Sequence, residues 1–254
     1  MTSFSEEAHN LKFSIITVVR NGVRTLKTCI ESVLSQTYEH VEFIVIDGGS
    51  TDGTLDILRD YDNRIAYWIS ESDAGIYDAM NKGTRHATGE RILFLGSDDI
   101  LSADLRKIAP LLIHADTIYY GDAYWRGRQR LYDGPFSTAK LARKNICQQA
   151  IFYPCSVFAK YAFNLRYPFQ ADWELNIRCY SDPQFHFQYI PVQVSVYDDI
   201  QGSSSLKRDH TLEQDYIALL WRHFPWPVAL WRTLIAVGGR TLHKAGWKGM
   251  NLER

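Results

Sequence analysis

Apolar runs and helix-like stretches alternate over the first hundred residues. Short runs rich in apolar residues predict buried strands over 13–19, 43–46, 65–69 and 91–95. Between them, apolar residues recur at helical spacing and predict helices over 23–36, 55–61 and 76–87. We expect Gly89 to end the last of these helices. The alternation indicates an α/β fold, in which a mostly parallel sheet carries helices on both faces.

Beyond residue 101, strands and helices follow in a less regular order. The pattern predicts a helix over 103–115, strands over 117–125, 150–158 and 187–197, and a short helix over 170–180. The basic stretch 126–130 is loop-like. Asp172 stands at the start of the short helix, where an aspartate is a typical N-cap. A polar loop rich in glycine and serine, 198–206, is typical of a lid beside a binding site.

Composition narrows the class of protein. The chain has 254 residues, 46% of them hydrophobic, so it can form a full core. Its formal net charge of −1 argues against a nucleic-acid partner bound through phosphate contacts. The four cysteines show no CxxC spacing, which is neither a zinc signature nor a disulfide framework and suits a reducing compartment. Residues 1–12 lack a secretion-signal pattern and no apolar run reaches roughly 20 residues, so we expect a cytoplasmic protein.

Two adjacent acids, Asp98 and Asp99, follow the predicted strand 91–95. Ligands bind beyond the carboxyl ends of strands in parallel α/β sheets. Two carboxylates about 4 Å apart repel by roughly 4 kcal/mol at an effective dielectric constant near 20, and a divalent cation would remove that repulsion. Alternatively, Asp99 caps a helix that starts near Ser102 while Asp98 lies in solvent. From these residues alone both interpretations stay open.

The loop 47–54 combines glycines with short polar residues and opens a helix. Free N–H groups at such a helix start can bind an anion. The same pattern is also typical of a simple capped helix start. Neither GxGxxG nor the Walker sequence is present, so the standard phosphate loops are excluded.

The C-terminal region differs in character from the rest of the chain. From Trp221 onward, Glu253 is the single acid among six basic residues: Arg222, Arg232, Arg240, Lys244, Lys248 and Arg254. The same stretch carries Trp221, Trp226, Trp231 and Trp247. Such a mixture favours an interfacial helix on anionic lipid, and the alternative is a helix that buries its tryptophans against the core.

Several of these segments together resemble family 2 glycosyltransferases with the GT-A fold. The segments that carry the resemblance are 16–21, 32–38, 46–54 and 95–99. Segment 73–83, which reads Asp-Ala-Gly-Ile-Tyr-Asp-Ala-Met-Asn-Lys-Gly, resembles the branch found in bacterial O-antigen, capsule and colanic-acid gene clusters. The resemblance is dense over 13–100, thinner to about residue 205 and absent in the tail.

The resemblance implies a GT-A domain over 12–205, with a nucleotide-sugar-binding half (12–100) and an acceptor half (101–205). A helical, basic and tryptophan-rich segment (206–254) follows. The implied activity is an inverting, metal-dependent hexosyl transfer from a nucleotide-diphosphate donor, UDP by family habit, to a glycan hydroxyl. A lipid-linked oligosaccharide acceptor and a peripheral position on the inner face of the plasma membrane fit the tail.

The resemblance also implies site residues. The donor is expected to contact Thr17, Asn21, Asp47, Asp73, Lys82 and Asp98. Asp98 and Asp99 would hold Mg²⁺ or Mn²⁺ against the diphosphate, and Asp172 would be the general base that takes the proton of the acceptor hydroxyl. On the acceptor side we expect Gln148, Gln149 and Trp173.

Three positions depart from the family pattern. Gly96 stands where the first acid of Asp-x-Asp-Asp is usual, Ala171 replaces the acid before the base, and Gln148 replaces a common histidine. The departures favour a rival, a non-catalytic GT-A protein that binds nucleotide sugar or scaffolds a synthesis complex, whereas the retained Asp98, Asp99 and Asp172 oppose it. A sugar nucleotidyltransferase is a second rival, but Arg20-Asn21-Gly22 is a poor substitute for its glycine-rich loop.

Overall fold

The computed structural model describes residues 10–200 and 209–244. The strands in this part are β1 (Phe13–Val19), β2 (Val41–Asp47), β3 (Tyr67–Ser70), β4 (Arg91–Gly96), β5 (Ile100–Leu101), β6 (Thr117–Trp125), β7 (Arg130–Tyr132), β8 (Ile151–Pro154) and β9 (His186–Tyr197). The helices are α1 (Leu26–Leu34), α2 (Thr54–Asp60), α3 (Ile76–His86), α4 (Leu105–Ile108), α5 (Thr138–Leu141), α6 (Cys155–Lys160), α7 (Ala171–Ser181), α8 (His210–His223) and α9 (Trp226–Lys244). Short 3₁₀ turns lie at Ala109–Leu111 and Gln148–Ala150.

The described strands form one sheet in the order β3-β2-β1-β4-β8-β6-β9-β5, with β7 beside β6. Strands β1 to β4 pair in parallel, and helices α1 to α3 connect them. The predicted α/β alternation is therefore confirmed, with element ends shifted by up to three residues. The predicted division at residues 100 and 205 stays a prediction, and one sheet runs across residue 100.

Every residue of β1 is buried because the strand has a core on each face. Phe13 and Ile15 pack with the residues of α1, and Ile16 packs with the residues of α3 on the other face. Gly83 of α3 lies so close to β1 that an added Cβ would be 2.5 Å from Ile16 Cγ2. The continuous apolar sequence of β1 follows from these two buried faces.

The sheet forks beside β4. Strand β8 pairs antiparallel with β4 at Arg91 and Ile92, and the described β8 pairing does not continue along β4 toward Gly96. Beyond β8 the sheet continues through β6, which pairs in parallel with β9. Beyond the β4–β8 pairing, the 3₁₀ turn Gln148–Ala150, rather than a strand, lies against β4, and we call this break in the ladder the fork.

Two predicted elements of the second half are wrong in extent. The helix predicted over 103–115 is only α4 followed by a 3₁₀ turn, because Pro110 lacks the N–H that a continuing helix needs. The strand predicted over 150–158 ends at Pro154, and α6 follows directly. Proline cannot donate to a ladder, so the change of structure at this residue has a local cause.

Gly89 does not end α3, since the helix stops at His86 and Ala87 is extended. Gly89 instead lies where two chain segments nearly touch: an added Cβ would be 2.6 Å from the Ser14 nitrogen and 2.9 Å from the Lys12 carbonyl oxygen. The glycine therefore serves packing beside β1.

Helices α8 and α9 pack against each other at the end of the described chain. In the described residues, every helix is too short or too polar to cross a bilayer. Most of the predicted lid, residues 201–206, and Trp247 with the rest of the tail after residue 244 lie outside the described residues.

Candidate active site

The carboxyl ends of β1, β2 and β4 meet at one edge of the sheet. The register aligns Val19 with Asp47 and Val18 with Gly96. The loops after these strands therefore lie side by side, where parallel α/β sheets bind ligands. We call the loops 20–25, 47–54 and 96–99 the donor edge, after their expected role.

Asp47 is fully buried at the end of β2, and its carboxylate is saturated with hydrogen bonds. Its Oδ2 accepts from the Gly49 nitrogen at 3.1 Å, the Ser50 nitrogen at 2.9 Å and the Ser70 hydroxyl at 2.6 Å. Its Oδ1 accepts from the Ser50 hydroxyl. Four donors offset the cost of burying this charge and fix the loop 47–54.

Asn21 ties the β1 loop to the β2 loop. Its side-chain oxygen accepts from the backbone nitrogen of Thr51 at 2.9 Å, and its backbone nitrogen donates to the Ser50 hydroxyl at 2.7 Å. Gly22 adds a bond from its nitrogen to the Thr54 hydroxyl at 2.9 Å. Asn21 has φ of 56°, in the left-handed region that asparagine tolerates better than most residues. The predicted anion loop is thus a rigid double loop.

The other expected donor residues lie around this double loop. Thr17 is fully buried, with its hydroxyl 3.6 Å from the Cys29 thiol. Asp73 lies against Gly48, where an added Cβ would collide with its carboxylate. Lys82 forms an ion pair with Glu71 at 2.8 Å, and this contact raises the pKa of Lys82.

Asp99 is 1% exposed and forms a bridge between the two halves of the sheet. Its Oδ2 accepts from the Gly96 nitrogen, and its Oδ1 accepts from the Asp198 nitrogen at the end of β9, each at 3.0 Å. Burial, and then the charge of Asp98, raise the pKa of Asp99 to about 7. Asp99 does not cap α4, because Asp104 does so through the Arg106 nitrogen.

Asp98 is the partly exposed member of the acid pair. Burial, and then the charge of Asp198, raise the pKa of Asp98, while Arg126 lowers it. Arg126 lies 3.5 Å from Asp198. The carboxylates of Asp98 and Asp198 therefore repel each other beside a single flanking arginine.

The glycine at position 96 has a steric reason. An added Cβ would lie 2.5 Å from Asp99 Oδ2 and 2.8 Å from Asp98 Oδ1. Real Cβ atoms do not approach oxygens this closely, so an acid at position 96 would require the pair to move. The departure from Asp-x-Asp-Asp is thus built into the positions of the other two acids.

A divalent cation fits this edge only if the donor supplies part of its coordination. Among the described residues, no three His, Cys, Asp or Glu side chains converge as a metal-binding group. Asp99 already accepts two backbone hydrogen bonds, whereas Asp98 is partly exposed. Mg²⁺ is commonly bound by one or two carboxylates together with substrate phosphates.

Asp172 lies in the first turn of α7, within the predicted acceptor half. It is not the N-cap, which is Gln170. Its Oδ1 accepts from the Tyr77 hydroxyl and its Oδ2 from the Asn145 side-chain nitrogen, each at 2.6 Å. Burial raises the pKa of Asp172, and the two hydrogen bonds together with backbone amides of the first helical turn act in the opposite direction.

The predicted acceptor-side residues separate in the structure. Gln149 accepts from the Cys147 thiol at 3.1 Å and contributes a hydrogen bond to Asp99. Gln148 is buried, with its nitrogen 3.5 Å from the Met80 sulfur. Trp173 donates its indole N–H to the Leu141 carbonyl at 2.9 Å.

Cys147 connects the two groups of acids. Its thiol is buried, and after burial the charges of Asp99 and Asp172 both raise its pKa. The two acids therefore lie within electrostatic range of one side chain, Asp99 beside the fork and Asp172 on α7.

Sequence reasoning missed four residues beside these acids: Tyr77, Asn145, Arg126 and Asp198. Tyr77 lies inside the quoted segment 73–83, so the segment itself was a signal. Asp198 and Arg126 lay in stretches interpreted as loops, and nothing in the pattern singled out Asn145.

The sequence matches the protein-family model described as "Glycosyl transferase family 2" over residues 14–168. A "PGL/p-HBAD biosynthesis glycosyltransferase" of Mycobacterium bovis is 39% identical over 202 residues, which cover 76% of this chain and 79% of the relative. An uncharacterized glycosyltransferase of Mycobacterium tuberculosis is 34% identical over 176 residues, covering 65% and 67%.

Solved structures match the fold. TarS of S. aureus in complex with UDP-GlcNAc has a TM-score of 0.65 at 19% identity, and covers 83% of this chain and 64% of its own, so this chain spans just under two thirds of it. The mannosyltransferase PcManGT from Pyrobaculum calidifontis, in complex with GDP-Man and Mn²⁺, has a TM-score of 0.69 at 16% identity, with coverage of 95% and 77%.

These matches show the GT-A fold that the resemblance implied. Because the family model covers more than half of the chain and the Mycobacterium bovis relative most of it, the chain belongs to glycosyl transferase family 2.

Proposed function

We propose that this family 2 glycosyltransferase transfers a hexosyl group from a nucleotide-diphosphate sugar to a glycan hydroxyl, with inversion, and that Asp172 is the general base. The observation that carries the proposal is the setting of Asp172. It is a partly exposed acid on the acceptor side, its pKa is raised by burial, and it lies within electrostatic range of the same thiol as Asp99. A carboxylate with a raised pKa is a better proton acceptor near neutral pH.

The proposed reaction is a single displacement. Asp172 takes the acceptor hydroxyl proton as the oxygen bonds to the anomeric carbon. The bond from that carbon to the diphosphate oxygen breaks, and the nucleoside diphosphate leaves with its electron pair. Asp98 would hold Mg²⁺ or Mn²⁺, which when bound stabilises the growing charge on the leaving group. We assign Asp99 to holding Asp98 and β9 in place, because backbone amides occupy both of its oxygens.

We propose UDP as the nucleotide of the donor. The TarS complex with UDP-GlcNAc supports this choice, and the PcManGT complex with GDP-Man makes GDP the main rival. The rigid double loop around Asn21 and Asp47 would form the nucleotide-binding wall. Asp73 and Lys82 would lie at its rim, and Thr17 would support β1 from within the core.

We propose a lipid-linked glycan as the acceptor, with Gln149 and Trp173 near its entry. The Mycobacterium bovis relative is named for PGL/p-HBAD biosynthesis, so the names of the relatives do not support the O-antigen, capsule or colanic-acid setting. The chemistry proposed here, transfer to a glycan hydroxyl, does not depend on that setting.

The experiment that tests this function combines calorimetry and turnover. We expect UDP to bind at micromolar concentration more tightly with Mn²⁺ than without, GDP and TDP to bind more weakly, and Asp98→Ala to lose the metal effect. Asp172→Asn should bind UDP normally but release UDP from UDP-sugars at least about 100-fold more slowly, because it lacks the base.

Asp60→Asn, at an exposed acid on α2, is the matched control and should behave as the wild type. UDP binding without turnover of any UDP-sugar in the wild type would instead support the non-catalytic, scaffolding alternative. An equal loss of UDP affinity in Asp172→Asn would make that residue structural.

We further propose that α9 rests on the anionic inner face of the plasma membrane. One face of α9 exposes Trp226, Leu230, Leu234 and Val237, with exposed fractions of 69%, 40%, 64% and 49%. Trp221 and Trp231 are also half exposed, so the alternative of buried tryptophans does not describe these residues. From 216 to 244 the sequence contains three arginines, one lysine and no aspartate or glutamate, and this positive balance fits anionic lipid.

Flotation with vesicles tests this surface. We expect binding to phosphatidylglycerol vesicles and little binding to phosphatidylcholine vesicles, and expect Leu230→Ser with Leu234→Ser to abolish it. Leu111→Ser with Ile113→Ser, two exposed apolar residues elsewhere, is the control. Unchanged binding of the α9 variant, or self-association in place of lipid binding, would refute the proposal.

A further inference from the structure

A chain of side-chain hydrogen bonds leads through the core to Asp172. Tyr153 donates its hydroxyl to the Asn176 oxygen at 2.8 Å, and the Asn176 nitrogen donates to the Asn145 oxygen at 2.8 Å. The Asn145 nitrogen donates to Asp172 Oδ2 and the Tyr77 hydroxyl to Oδ1, each at 2.6 Å. We call these four residues and Asp172 the Asp172 network.

The ionised form of Asp172 sets the direction of every bond in this network. An ionised carboxylate can only accept hydrogen bonds, so the side chain of Asn145 must present its nitrogen to it. The oxygen of Asn145 then faces Asn176, which must present its own nitrogen there and its oxygen to Tyr153. Each amide therefore has one orientation that satisfies all of its neighbours, and in that orientation both side chains that contact Asp172 donate to it, as an ionised carboxylate needs.

The network brings together four parts of the chain. Tyr77 comes from α3, Asn145 from the loop after α5, Tyr153 from β8, and Asn176 stands one helical turn after Asp172 on α7. Asn176 and Tyr153 are fully buried. Burying amide and hydroxyl groups is unfavourable unless all are paired, and an apolar core would meet the needs of folding alone. The polar residues at these positions point to a role at the one charged group they reach.

We propose that Tyr77 and Asn145 are positioning residues for the base, and that Asn176 and Tyr153 act through Asn145 by fixing the orientation of its side-chain amide. The inference rests on the proposed function, in which Asp172 is the general base and must be aimed at the acceptor hydroxyl. Two neutral side-chain donors would favour the ionised carboxylate and keep it aimed at the acceptor hydroxyl.

The titratable side chains on which the charge of Asp172 is seen to act are tyrosines and a cysteine. The charge of Asp172 raises the pKa of Tyr77, Tyr153, Tyr132 of β7 and Cys147 before β8, all of which are neutral near pH 7. The main influences on its pKa are burial and four hydrogen bonds, and no arginine, lysine or histidine is among them. The hydrogen bonds of Tyr77 and Asn145, with the backbone amides at the start of α7, are therefore what favours the ionised form.

The test is a titration of Asp172 by carbon-13 NMR of the aspartate carboxyl groups in the full-length protein, with Asp172→Asn to assign the signal. Tyr77→Phe should raise the pKa of Asp172 by about one unit, because a hydrogen bond to the charged form is lost. Asn145→Ala should raise it by a similar amount, and Tyr153→Phe by roughly a few tenths of a unit.

Tyr161→Phe is the matched control. It removes a similar tyrosine hydroxyl bond, to Asp182 at 2.7 Å, outside the network, and should leave the Asp172 signal unmoved. The Tyr77 ring packs against Phe163 with centroids 5.3 Å apart, so Tyr77→Phe should still fold. Asn145→Ala, in a loop, provides a second test.

Turnover of the UDP-sugar used above gives the functional readout. In Tyr77→Phe the acid limb of the pH profile of kcat should move upward with the NMR value, while KM for the donor stays unchanged. If the pKa of Asp172 is the same in Tyr77→Phe, Asn145→Ala and Tyr161→Phe, the inference is wrong, whatever Asp172 does. If instead the pKa moves but Asp172→Asn keeps full activity, the proposed function fails and the positioning of Asp172 stands without a catalytic use.

Discussion

The donor edge and the Asp172 network both hold a buried or half-buried aspartate, but they are built from different parts. Asp47 accepts hydrogen bonds from two backbone N–H groups and two serine hydroxyls. Three of these four donors belong to Gly49 and Ser50, two and three residues after Asp47. Asp172 receives side-chain donors from Tyr77, 95 positions away, and Asn145, 27 positions away. The first arrangement is local in sequence and the second is assembled by the tertiary fold.

The two kinds of hydrogen-bond donor respond differently to substitution. Backbone donors are lost only on substitution by proline, so a surface made of them changes little as side chains vary. Side-chain donors can be exchanged one at a time, which allows the orientation and pKa of a single acid to be tuned. We expect the donor edge to contribute mainly stability and the Asp172 network mainly chemistry.

The largest expected effect is on stability at the donor edge. Asp47→Asn should lower the free energy of unfolding by about 3 kcal/mol, because an NH₂ group would then face donors that now share a carboxylate oxygen. Asp172→Asn should cost less than about 1 kcal/mol, since it removes a charge whose burial is unfavourable. Urea unfolding of both variants measures this contrast, and similar losses in the free energy of unfolding would contradict it.

A middle-sized effect is expected where the acid pair meets Gly96. Gly96→Asp restores the usual family acid but should lower stability by about 2 kcal/mol, because its Cβ would clash with Asp98 and Asp99. Gly238→Ala is the control, since an added Cβ there meets nothing within 4 Å and alanine favours the helix by up to about 1 kcal/mol. A stable Gly96→Asp protein with tighter Mn²⁺ binding would show that the edge is not fixed as described.

The smallest expected effect is a pH dependence. Burial raises the pKa of Asp172 above its ordinary value of 3.8. The stability associated with this group is therefore fully present below about pH 4 and is lost as the pH rises through the raised pKa. Relative to the wild type, Asp172→Asn should thus become more stable as the pH rises from 4 to 8 in urea unfolding. If Asp172→Asn instead becomes less stable relative to the wild type over this range, the pKa of Asp172 is lowered.

The same contrast explains what the sequence could predict. Strands β1 to β4 and the double loop depend on apolar runs and on turn residues that contact their own sequence neighbours. These elements could therefore be predicted from the local sequence. The orientation of Asn145 and the backbone bridge made by Asp99 depend on segments far away in the chain. Asp172 was named from the family resemblance, whereas its position in the helix suggested only a cap.

Two glycines also show what the local sequence could not predict. Gly96 was interpreted as a missing ligand, and the structure shows it as the residue that leaves space for two carboxylates. Gly89 was expected to end a helix and instead permits a close chain contact beside β1. In both cases the cause is a neighbour in space that no local pattern contains.

The fork in the sheet also limits how the molecule can move. Ladder bonds at Arg91 and Ile92 join the two halves at its base, and Asp99 bridges β4 to β9 at its open end. A hinge rotation of one half against the other would have to break both connections. Entry and release of substrates are therefore expected to depend on loop rearrangement at the mouth of the fork, with the sheet as a fixed frame.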